Sequence, residues 1–277
     1  MPVAVITGAA GELGAACARQ FVDHHLVMVD SKRDALEMRA QPLQSLGHRT
    51  TCMTVDITKQ DDCLRFAALV EDLGGFDVLV HAAGVAPPAP PEAIYAVNLY
   101  GTANLLNAFE RLVRPGTVGV CLASIAGHRR LTYQFDSLLL APDMPPLTLA
   151  STIERHAPSI AKTRLAYAAS KRGTILQVQS HAPRWTMAGG RLLSVSPSVI
   201  SDTTMGANRQ AAIKQDGDVS ISRPGTSVEI AAIVQFAASP QSSFMSGSDL
   251  LADGGLLAEI NYYFDAARRE GWHALEQ

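Results

Sequence analysis

The sequence has few cysteines and little net charge, and both shortages exclude classes of protein. Four cysteines occur in 277 residues, with no C-x-x-C spacing among them, so a disulfide framework is not expected. We predict no metal site. The formal net charge is −3 and no basic cluster or tail is present. Nucleic acids and anionic membranes select a concentrated positive surface, so we expect neither as a partner.

Long uncharged hydrophobic runs are also missing. No apolar run approaches the roughly 18 residues that a membrane helix requires, and the first residues lack the pattern of a signal peptide. We therefore expect a soluble cytoplasmic protein. Apolar material is nevertheless plentiful, since 47% of the residues are hydrophobic, which is enough for one large buried core.

Short apolar runs alternate with helical patterns along most of the chain. We predict strands at residues 3–7, 26–30, 50–56, 77–82, 117–123, 191–196 and 249–252. We predict helices at residues 13–24, 34–46, 61–73, 94–112, 167–182 and 228–238. Strands that are apolar on both faces and alternate with helices indicate the α/β class, with a Rossmann-type, doubly wound parallel sheet of seven strands. We interpret residues 1–277 as one domain.

Glycines cluster directly after the first strand, in Thr7-Gly8-Ala9-Ala10-Gly11-Glu12-Leu13-Gly14. Such a turn lets the backbone approach a pyrophosphate at the start of the next helix. Asp30 ends the second strand, 22 positions after Gly8, where an acid accepts hydrogen bonds from ribose hydroxyls and repels a 2′-phosphate. The pattern predicts a dinucleotide site that favours NAD over NADP, although a turned Arg33 would soften the preference. Asp56 either reaches the adenine amino group or caps a turn.

The stretch Tyr167-Ala168-Ala169-Ser170-Lys171 has the spacing of an acid/base pair. On a helix, positions i and i+4 lie on one face, so the phenol and the ammonium would point into the same cleft. A cation a few ångströms away favours the phenolate and lowers a tyrosine pKa by roughly 1–3 units, which suits proton transfer. The same spacing alone occurs by chance in many proteins.

Taken together, the motifs resemble the short-chain dehydrogenase/reductase family, in the family's order and over residues 3–256. The matching positions are Thr7-Gly8 to Gly14, Asp56-Ile57-Thr58, His81-Ala82-Ala83-Gly84, Asn98, Ser124, Tyr167, Lys171, Ser196-Pro197, Ser246-Gly247 and Asp253-Gly254-Gly255. The resemblance implies an oxidoreductase that transfers a hydride between NAD(H) and a secondary alcohol or ketone.

The resemblance also implies a role for each matching residue. Tyr167 would exchange a proton with the substrate oxygen, Lys171 would bind the nicotinamide ribose, and Ser124 would hydrogen-bond the reacting oxygen. Asn98 would hold a water that links the lysine to solvent. The implied dinucleotide contacts are Gly8, Gly11, Glu12, Leu13, Gly14, Asp30, Asp56, Ile57, Ala82, Ala83, Gly84, Tyr167, Lys171, Pro197, Ile200 and Thr203.

Five positions depart from the family pattern, and two of them, Ala82 in place of an asparagine and Ser198 in place of a glycine, are given no further role. Glu12 stands where a glycine is common, and its carboxylate is tolerable beside a pyrophosphate only if it points to solvent. His81 replaces an asparagine; a lone histidine at a strand end is more often packed or capping, and we assign it no role. Asp202 stands where a threonine commonly contacts the carboxamide, so either Thr203 or Thr204 substitutes for it, or Asp202 faces the substrate.

The 43 positions from Ser124 to Tyr167 exceed the family's usual gap. The extra residues, 128–164, contain a proline-rich break and a predicted helix over 149–164. They resemble the insertion of bacterial 3α-hydroxysteroid dehydrogenase/carbonyl reductases. We expect a homo-oligomer, with the insertion favouring a dimer over a tetramer. We assign substrate contacts to residues 200–222, and substrate contact, subunit contact or packing to the tail, 259–277. A hydroxysteroid or other bulky carbonyl compound is the expected substrate.

Two other functions stay open on the sequence alone. Extended-type epimerases with bound NAD share both motifs, but they carry a large C-terminal substrate domain that this chain lacks. A non-catalytic dinucleotide sensor would share the fold, but such relatives tend to lose the tyrosine or the lysine. The proline-rich stretch 85–91 is interpreted as a stiff connection rather than a recognition motif.

Overall fold

The computed structural model describes residues 1–140, 144–156, 162–203 and 223–262. Within these ranges seven strands form one parallel sheet in the order β3-β2-β1-β4-β5-β6-β7. The strands are β1 (Val3–Thr7), β2 (His25–Asp30), β3 (Thr50–Thr54), β4 (Val78–His81), β5 (Val118–Leu122), β6 (Arg191–Pro197) and β7 (Asp249–Ala252). The predicted fold class is confirmed.

Helices connect the strands and cover the sheet on both faces. They are α1 (Glu12–Ala18), α2 (Arg33–Ser45), α3 (Gln60–Asp72), α4 (Pro91–Tyr95), α5 (Thr102–Glu110), α6 (Asp136–Leu140), α7 (Pro146–His156), α8 (Lys162–Met187) and α9 (Ser227–Ala238). A π-helical turn, Ala96–Gly101, joins α4 to α5, where the sequence predicted one continuous helix.

Burial on both faces explains why the strands are apolar throughout. In β1, Ala4 and Ile6 belong to a core shared with α1, α2 and α9. Val3 and Val5 point the other way, into a core shared with α3, α5 and α8. Alternate side chains of a strand face opposite sides of the sheet, so a strand covered on both sides requires apolar residues at every position.

The sheet geometry sets the location of the site. All seven strands are parallel, so their carboxyl ends lie at one edge of the sheet. The strand order reverses between β1 and β4, which are neighbours in space but not in sequence. A crevice opens at such a switch point, and ligands of open α/β sheets bind there.

The insertion builds a third core. Leu149 and Ile153 of α7 lie in one buried cluster with Ile94 and Tyr95 of α4. The predicted helix over 149–164 differs from the structure: α7 ends at His156, residues 157–161 lie outside the described ranges, and α8 has begun by Lys162. That helix therefore starts before Tyr167 and continues past the predicted end at residue 182.

Candidate active site

Two cavities lie at the carboxyl edge of the sheet, with volumes of about 380 Å³ and about 490 Å³. They share the lining residues Gly8, Gly11, Glu12, Lys32, Ala82, Gly84 and Val85. The two cavities are therefore halves of one continuous cleft, which we call the nucleotide half (the smaller) and the reaction half (the larger).

The structure brings almost all of the predicted site residues to this cleft. The nucleotide half is lined by Gly8, Gly11, Glu12, Asp30, Asp56, Ile57, Ala82, Ala83 and Gly84. The reaction half is lined by Leu13, Gly14, Ser124, Tyr167, Lys171, Pro197, Ile200 and Thr203, besides the shared residues. Among the predicted catalytic and dinucleotide-binding residues, Asn98 alone lines neither half.

The glycine turn after β1 is packed so closely that side chains are excluded. Gly8 has a φ of 68°, and a Cβ added there would lie 2.5 Å from the Ala83 nitrogen. A Cβ on Gly14 would lie 2.2 Å from the Gly8 carbonyl oxygen. Only glycine tolerates such approaches, and the turn consequently presents bare backbone to the cleft.

Asp30 is fixed by hydrogen bonds in the wall of the nucleotide half. Its two oxygens accept hydrogen bonds from the backbone nitrogens of Ala10 and Lys32, each at 3.1 Å. Lys32 lines both halves of the cleft. Arg33, which we had considered as a phosphate contact, begins α2 and pairs with Glu37 at 2.8 Å. The cation that lines the nucleotide half is thus Lys32, which the sequence analysis had not singled out.

Asp56 closes a turn, as one of its two alternatives predicted, and its contact with adenine stays a prediction. Its Oδ1 accepts hydrogen bonds from the backbone nitrogen of Thr58 at 3.1 Å and from the Thr58 hydroxyl at 2.7 Å. The same residue lines the nucleotide half of the cleft. Asp56 therefore closes a turn after β3 and still lies beside the cavity.

Glu12 is only partly turned to solvent. Its side chain is 38% exposed and lies 3.7 Å from the Arg39 guanidinium, yet it lines both halves of the cleft. Arg39 also donates from Nε to the Ala10 carbonyl at 3.3 Å. The guanidinium therefore offsets part of the negative charge that the sequence places next to a predicted pyrophosphate site.

The catalytic candidates meet in the reaction half. Tyr167 and Lys171 lie on successive turns of α8, with the Lys171 Nζ 6.0 Å from the centre of the tyrosine ring. Nζ donates to the Leu122 carbonyl at 2.7 Å. Burial lowers the pKa of Lys171 to about 8. Ser124 follows β5, and its Oγ accepts a hydrogen bond from the Ala126 nitrogen at 3.2 Å.

The segment after Ser124 can approach α8 because it contains a glycine. A Cβ on Gly127 would lie 2.8 Å from the backbone of Lys171 and Arg172. This close contact holds the end of β5, and with it Ser124, against the helix that carries Tyr167. Close packing against α8 thus explains why the segment that follows Ser124 has a glycine at position 127.

Asn98 lies behind the cleft rather than in its wall. Its Oδ1 accepts from the Val85 nitrogen, and its Nδ2 donates to the Val85 carbonyl, each at 2.8 Å. Nδ2 also lies 3.1 Å from the Ser170 hydroxyl on α8. The Asn98 side chain therefore fastens the cleft wall to the catalytic helix, whereas its implied water-holding role stays a prediction.

Asp202 does not line the cleft. Its carboxylate accepts hydrogen bonds from the Ser227 backbone nitrogen at 2.8 Å and from the Ser227 hydroxyl at 2.6 Å, at the start of α9. The expectation that Asp202 faces the substrate is therefore corrected, and Thr203 is the neighbour that lines the reaction half. Thr204, the rest of the predicted substrate loop and the tail beyond residue 262 lie outside the described ranges.

Comparison with known proteins identifies the family. The short chain dehydrogenase model matches residues 2–134, and the enoyl-(acyl carrier protein) reductase model matches residues 147–257. The short-chain dehydrogenase/reductase bsc3 of Alternaria brassicicola is 32% identical over 275 residues, covering 93% of this chain and 96% of that protein. The chain belongs to the short-chain dehydrogenase/reductase family.

More distant relatives span this short-chain dehydrogenase/reductase equally well. The 3-alpha-hydroxysteroid dehydrogenase/carbonyl reductase of Comamonas testosteroni is 27% identical, covering 92% of this chain and 96% of that protein. A solved structure from Brucella melitensis, a short-chain dehydrogenase/reductase, has a TM-score of 0.73 at 24% identity, covering 92% of this chain and 96% of that chain. One from Mycobacterium ulcerans has a TM-score of 0.75 at 20% identity, covering 93% and 90%. The structural likeness supports the fold alone.

Several cleft residues were missed by the sequence analysis. Ala86, Pro87 and Pro88 line the reaction half, although we had interpreted their stretch only as a stiff connection. Ile125 lines it as well. Their position shortly after Gly84 and Ser124 was the available signal, because residues that follow parallel strands lie at the edge where the cleft opens.

Two features are absent from the described ranges. No helix there is long and apolar enough to cross a membrane. No group of three or more histidine, cysteine, aspartate or glutamate side chains there could hold a metal ion.

Proposed function

We propose that this short-chain dehydrogenase/reductase transfers a hydride between NAD(H) and a neutral, bulky secondary alcohol or ketone. One observation carries the proposal: Tyr167, Lys171 and Ser124 line the same half-cleft as the glycine turn, and Asp30 lines the other half. The reacting groups and the dinucleotide contacts thus belong to one continuous cavity.

The cleft fits a dinucleotide in its chemistry. Gly8 and Gly14 leave no room for side chains, which frees backbone for a pyrophosphate. Asp30 offers carboxylate oxygens for ribose hydroxyls and opposes a 2′-phosphate, while Lys32 reduces that opposition. We therefore infer NAD in preference to NADP. A relative named NAD-dependent glycerol dehydrogenase, from Listeria innocua and 26% identical, agrees with this inference.

Residues of the chain would donate the proton to the substrate oxygen and remove it in the reverse reaction. NADH supplies the hydride, and the carbonyl oxygen then becomes an alkoxide that needs hydrogen-bond donors and a proton. Ser124 would donate to this oxygen, and Tyr167 would deliver its phenolic proton in reduction and take it back in oxidation. The Lys171 ammonium favours the phenolate by its charge. Because the pKa of Lys171 is about 8, this support is present at neutral pH and declines above it.

The walls of the reaction half favour an apolar substrate. Ala86, Pro87, Pro88, Ile125 and Val199 line it near the catalytic candidates. A charged substrate group buried against such walls would lack a partner, which is costly. A relative named for a hydroxysteroid, at 27% identity, agrees with a bulky alicyclic compound of this kind.

The two alternative functions are not favoured. The curated relatives described above are named as dehydrogenases and reductases, and none of those names is an epimerase. A sensor has no need of an acid/base pair, whereas Tyr167 and Lys171 line the cavity together with Ser124. Both observations support turnover over binding alone.

The test compares the wild type with Tyr167→Phe in binding and in turnover. We expect Tyr167→Phe to bind NADH with a Kd within about two-fold of the wild type. We expect its reduction of alicyclic ketones, followed by the absorbance of NADH, to fall by roughly 10²–10⁴-fold, as for loss of a general acid. Tyr133→Phe is the matched control, since Tyr133 is 45% exposed and does not line the cleft. Full turnover by Tyr167→Phe, or no NADH binding by the wild type, would refute the proposal.

A further inference from the structure

A line of hydrogen bonds crosses the buried carboxyl end of β4. His81, the last residue of that strand, is 2% exposed. Its Nδ1 lies 2.7 Å from the Thr7 hydroxyl of β1, and its Nε2 lies 2.9 Å from the Thr102 hydroxyl of α5. Thr7 lines the nucleotide half of the cleft, whereas His81 and Thr102 line neither half.

The partners of the two threonines fix where the hydrogens are. The Thr102 hydroxyl donates to the Asn98 carbonyl at 2.7 Å, which uses its single hydrogen. It therefore accepts from His81 Nε2, and in a neutral ring Nδ1 is then the acceptor. Thr7 accordingly donates to Nδ1, while its own oxygen accepts from the Ala83 nitrogen at 3.4 Å.

The surroundings keep the ring neutral. Burial lowers the pKa of His81 to about 3, and the nearby Lys171 ammonium acts in the same direction. The facing groups from the packed elements are the hydroxyls of Thr7 and Thr102, the Lys171 ammonium and, on β5, the Cys121 thiol, whose own pKa burial raises to about 12. None of them supplies the negative charge that would hold an imidazolium.

We propose that His81 is a positioning residue, held as the Nε2–H tautomer, which couples the dinucleotide turn to the π-helical turn that carries Asn98. The hydrogen bonds run in one direction, from Ala83 through Thr7, His81 and Thr102 to Asn98. At one end they hold Thr7 and Ala83, which line the nucleotide half. At the other end Asn98 holds Val85 in the cleft wall and contacts Ser170 on α8.

An imidazole suits this place because its two nitrogens lie on opposite sides of the ring. An apolar side chain would remove one hydrogen bond from each of the two threonine hydroxyls, and each such loss is costly. The effect on function is indirect, since His81 is separated from the cleft by Thr7. A substitution of Thr102 should therefore alter dinucleotide binding in the nucleotide half, although Thr102 itself does not line that half.

The first experiment measures NADH binding to Thr102 variants, and this arm rests on the proposed function. Thr102→Val removes the acceptor for His81 and the donor to Asn98 while keeping the shape. We expect its Kd for NADH to rise about five-fold, the equivalent of about one buried hydrogen bond. Thr102→Ser keeps the hydroxyl and should stay within about two-fold. Thr174→Val is a matched control, because Thr174 also lies near the Asn98 carbonyl, at 3.5 Å, but outside this line.

A double-mutant cycle distinguishes coupling from independent damage. Thr7→Val and Thr102→Val interrupt the same line of hydrogen bonds, so their combined effect on the NADH Kd should be smaller than the product of the single effects. If the two substitutions removed unrelated contacts, the fold-change in the Kd of the double variant would equal the product of the two single fold-changes. A product, or an unchanged Kd in Thr102→Val, would overturn the proposed coupling.

The second experiment needs no dinucleotide. Nitrogen NMR of ¹⁵N-histidine-labelled protein at neutral pH should show His81 with a hydrogen on Nε2 and none on Nδ1. The signal is assigned by its loss in His81→Gln or its shift in Thr102→Val. A ring protonated on Nδ1, or on both nitrogens, overturns the inference. A wild type that shows the expected tautomer but binds no NADH would refute the proposed function instead, so the two failures are distinguishable.

Discussion

Lys171 holds a positive charge in a largely buried position at the wall of the cleft. Its ammonium is buried and donates to the Leu122 carbonyl. Burial disfavours the charged form, and the pKa accordingly falls from 10.5 to about 8. A residue kept under such conditions costs folding free energy. At the scale of the single residue, the buried ammonium thus lowers the free energy of unfolding while it places a positive charge near Tyr167.

Replacing this cation should make the protein more stable and inactive. We expect Lys171→Met to raise the free energy of unfolding at pH 7 by about 1–2 kcal/mol, because the desolvated charge is removed while one hydrogen bond to Leu122 is lost. Ketone reduction should disappear. Urea denaturation and NADH oxidation measure the two effects. Lys162→Met is the matched control: Lys162 is an exposed lysine on the same helix, where ion pairs contribute little.

The stability difference should also depend on pH in a defined direction. Between about pH 8 and pH 10.5 the folded wild type has released the Lys171 proton while the unfolded chain still holds it. The unfolded state then binds more protons, so the stability of the wild type rises with pH. Lys171→Met lacks this gain, and its advantage should shrink above pH 8. A variant less stable than the wild type at pH 7 would contradict the argument.

At the scale of elements, the sequence predicted the type and order of the helices and strands better than their first and last residues. Short apolar runs identified each of the seven described strands, and β1 and β7 have the predicted bounds. The helix predicted over 94–112 is broken by the π-helical turn, where a Cβ on Gly101 would lie 2.8 Å from the Ile57 side chain. That contact is with a distant segment, so periodicity cannot reveal it.

The residues of the candidate site also divide into those that the sequence predicted and those that it did not. The position of Gly8, Ser124 and Tyr167 in the cleft was predictable because each belongs to a short local motif of the family that the sequence resembles. The side of the cleft that Lys32 faces depends on how β2 and α2 meet. The partner of Asp202 is Ser227, 25 residues away. Contacts of this range follow from the tertiary fold and leave no pattern in the local sequence.

The contact between Asp202 and α9 can be tested as a helix cap. Asp202→Ala leaves the Ser227 nitrogen and hydroxyl without their acceptor, so we expect a loss of about 1 kcal/mol in the free energy of unfolding. Asp202→Asn keeps an acceptor oxygen and should lose less. Thermal and urea unfolding measure both. If Asp202→Ala were as stable as the wild type but raised the substrate KM, the acid would instead act on the substrate.

At the scale of the whole molecule, the insertion changes which surface is exposed. The described part of the insertion packs Leu149 and Ile153 of α7 against α4. Arg172 of α8 pairs with Asp136 of α6 at 2.6 Å and lies over the Tyr133 ring. The insertion thus occupies the outer side of α4 and part of α8. A neighbouring subunit cannot pack on helix surface that is already covered.

We therefore expect a dimer rather than a tetramer. Light scattering over a range of concentrations should give twice the chain mass of 29.5 kDa. A stable mass of four chains would show that the insertion leaves the second assembly surface open. A mass of one chain at all concentrations would contradict the expected homo-oligomer as well.

The shared wall of the two half-clefts has a consequence for inhibitor design. Seven residues, Gly8, Gly11, Glu12, Lys32, Ala82, Gly84 and Val85, line both halves, so a fragment bound in one half ends close to a fragment bound in the other. A short linker between an adenosine-like fragment and an apolar ketone mimic would make the second binding step intramolecular, with an effective concentration in the millimolar range. Selectivity among relatives would then come from the proline-lined end, since the dinucleotide end is chemically common to the family.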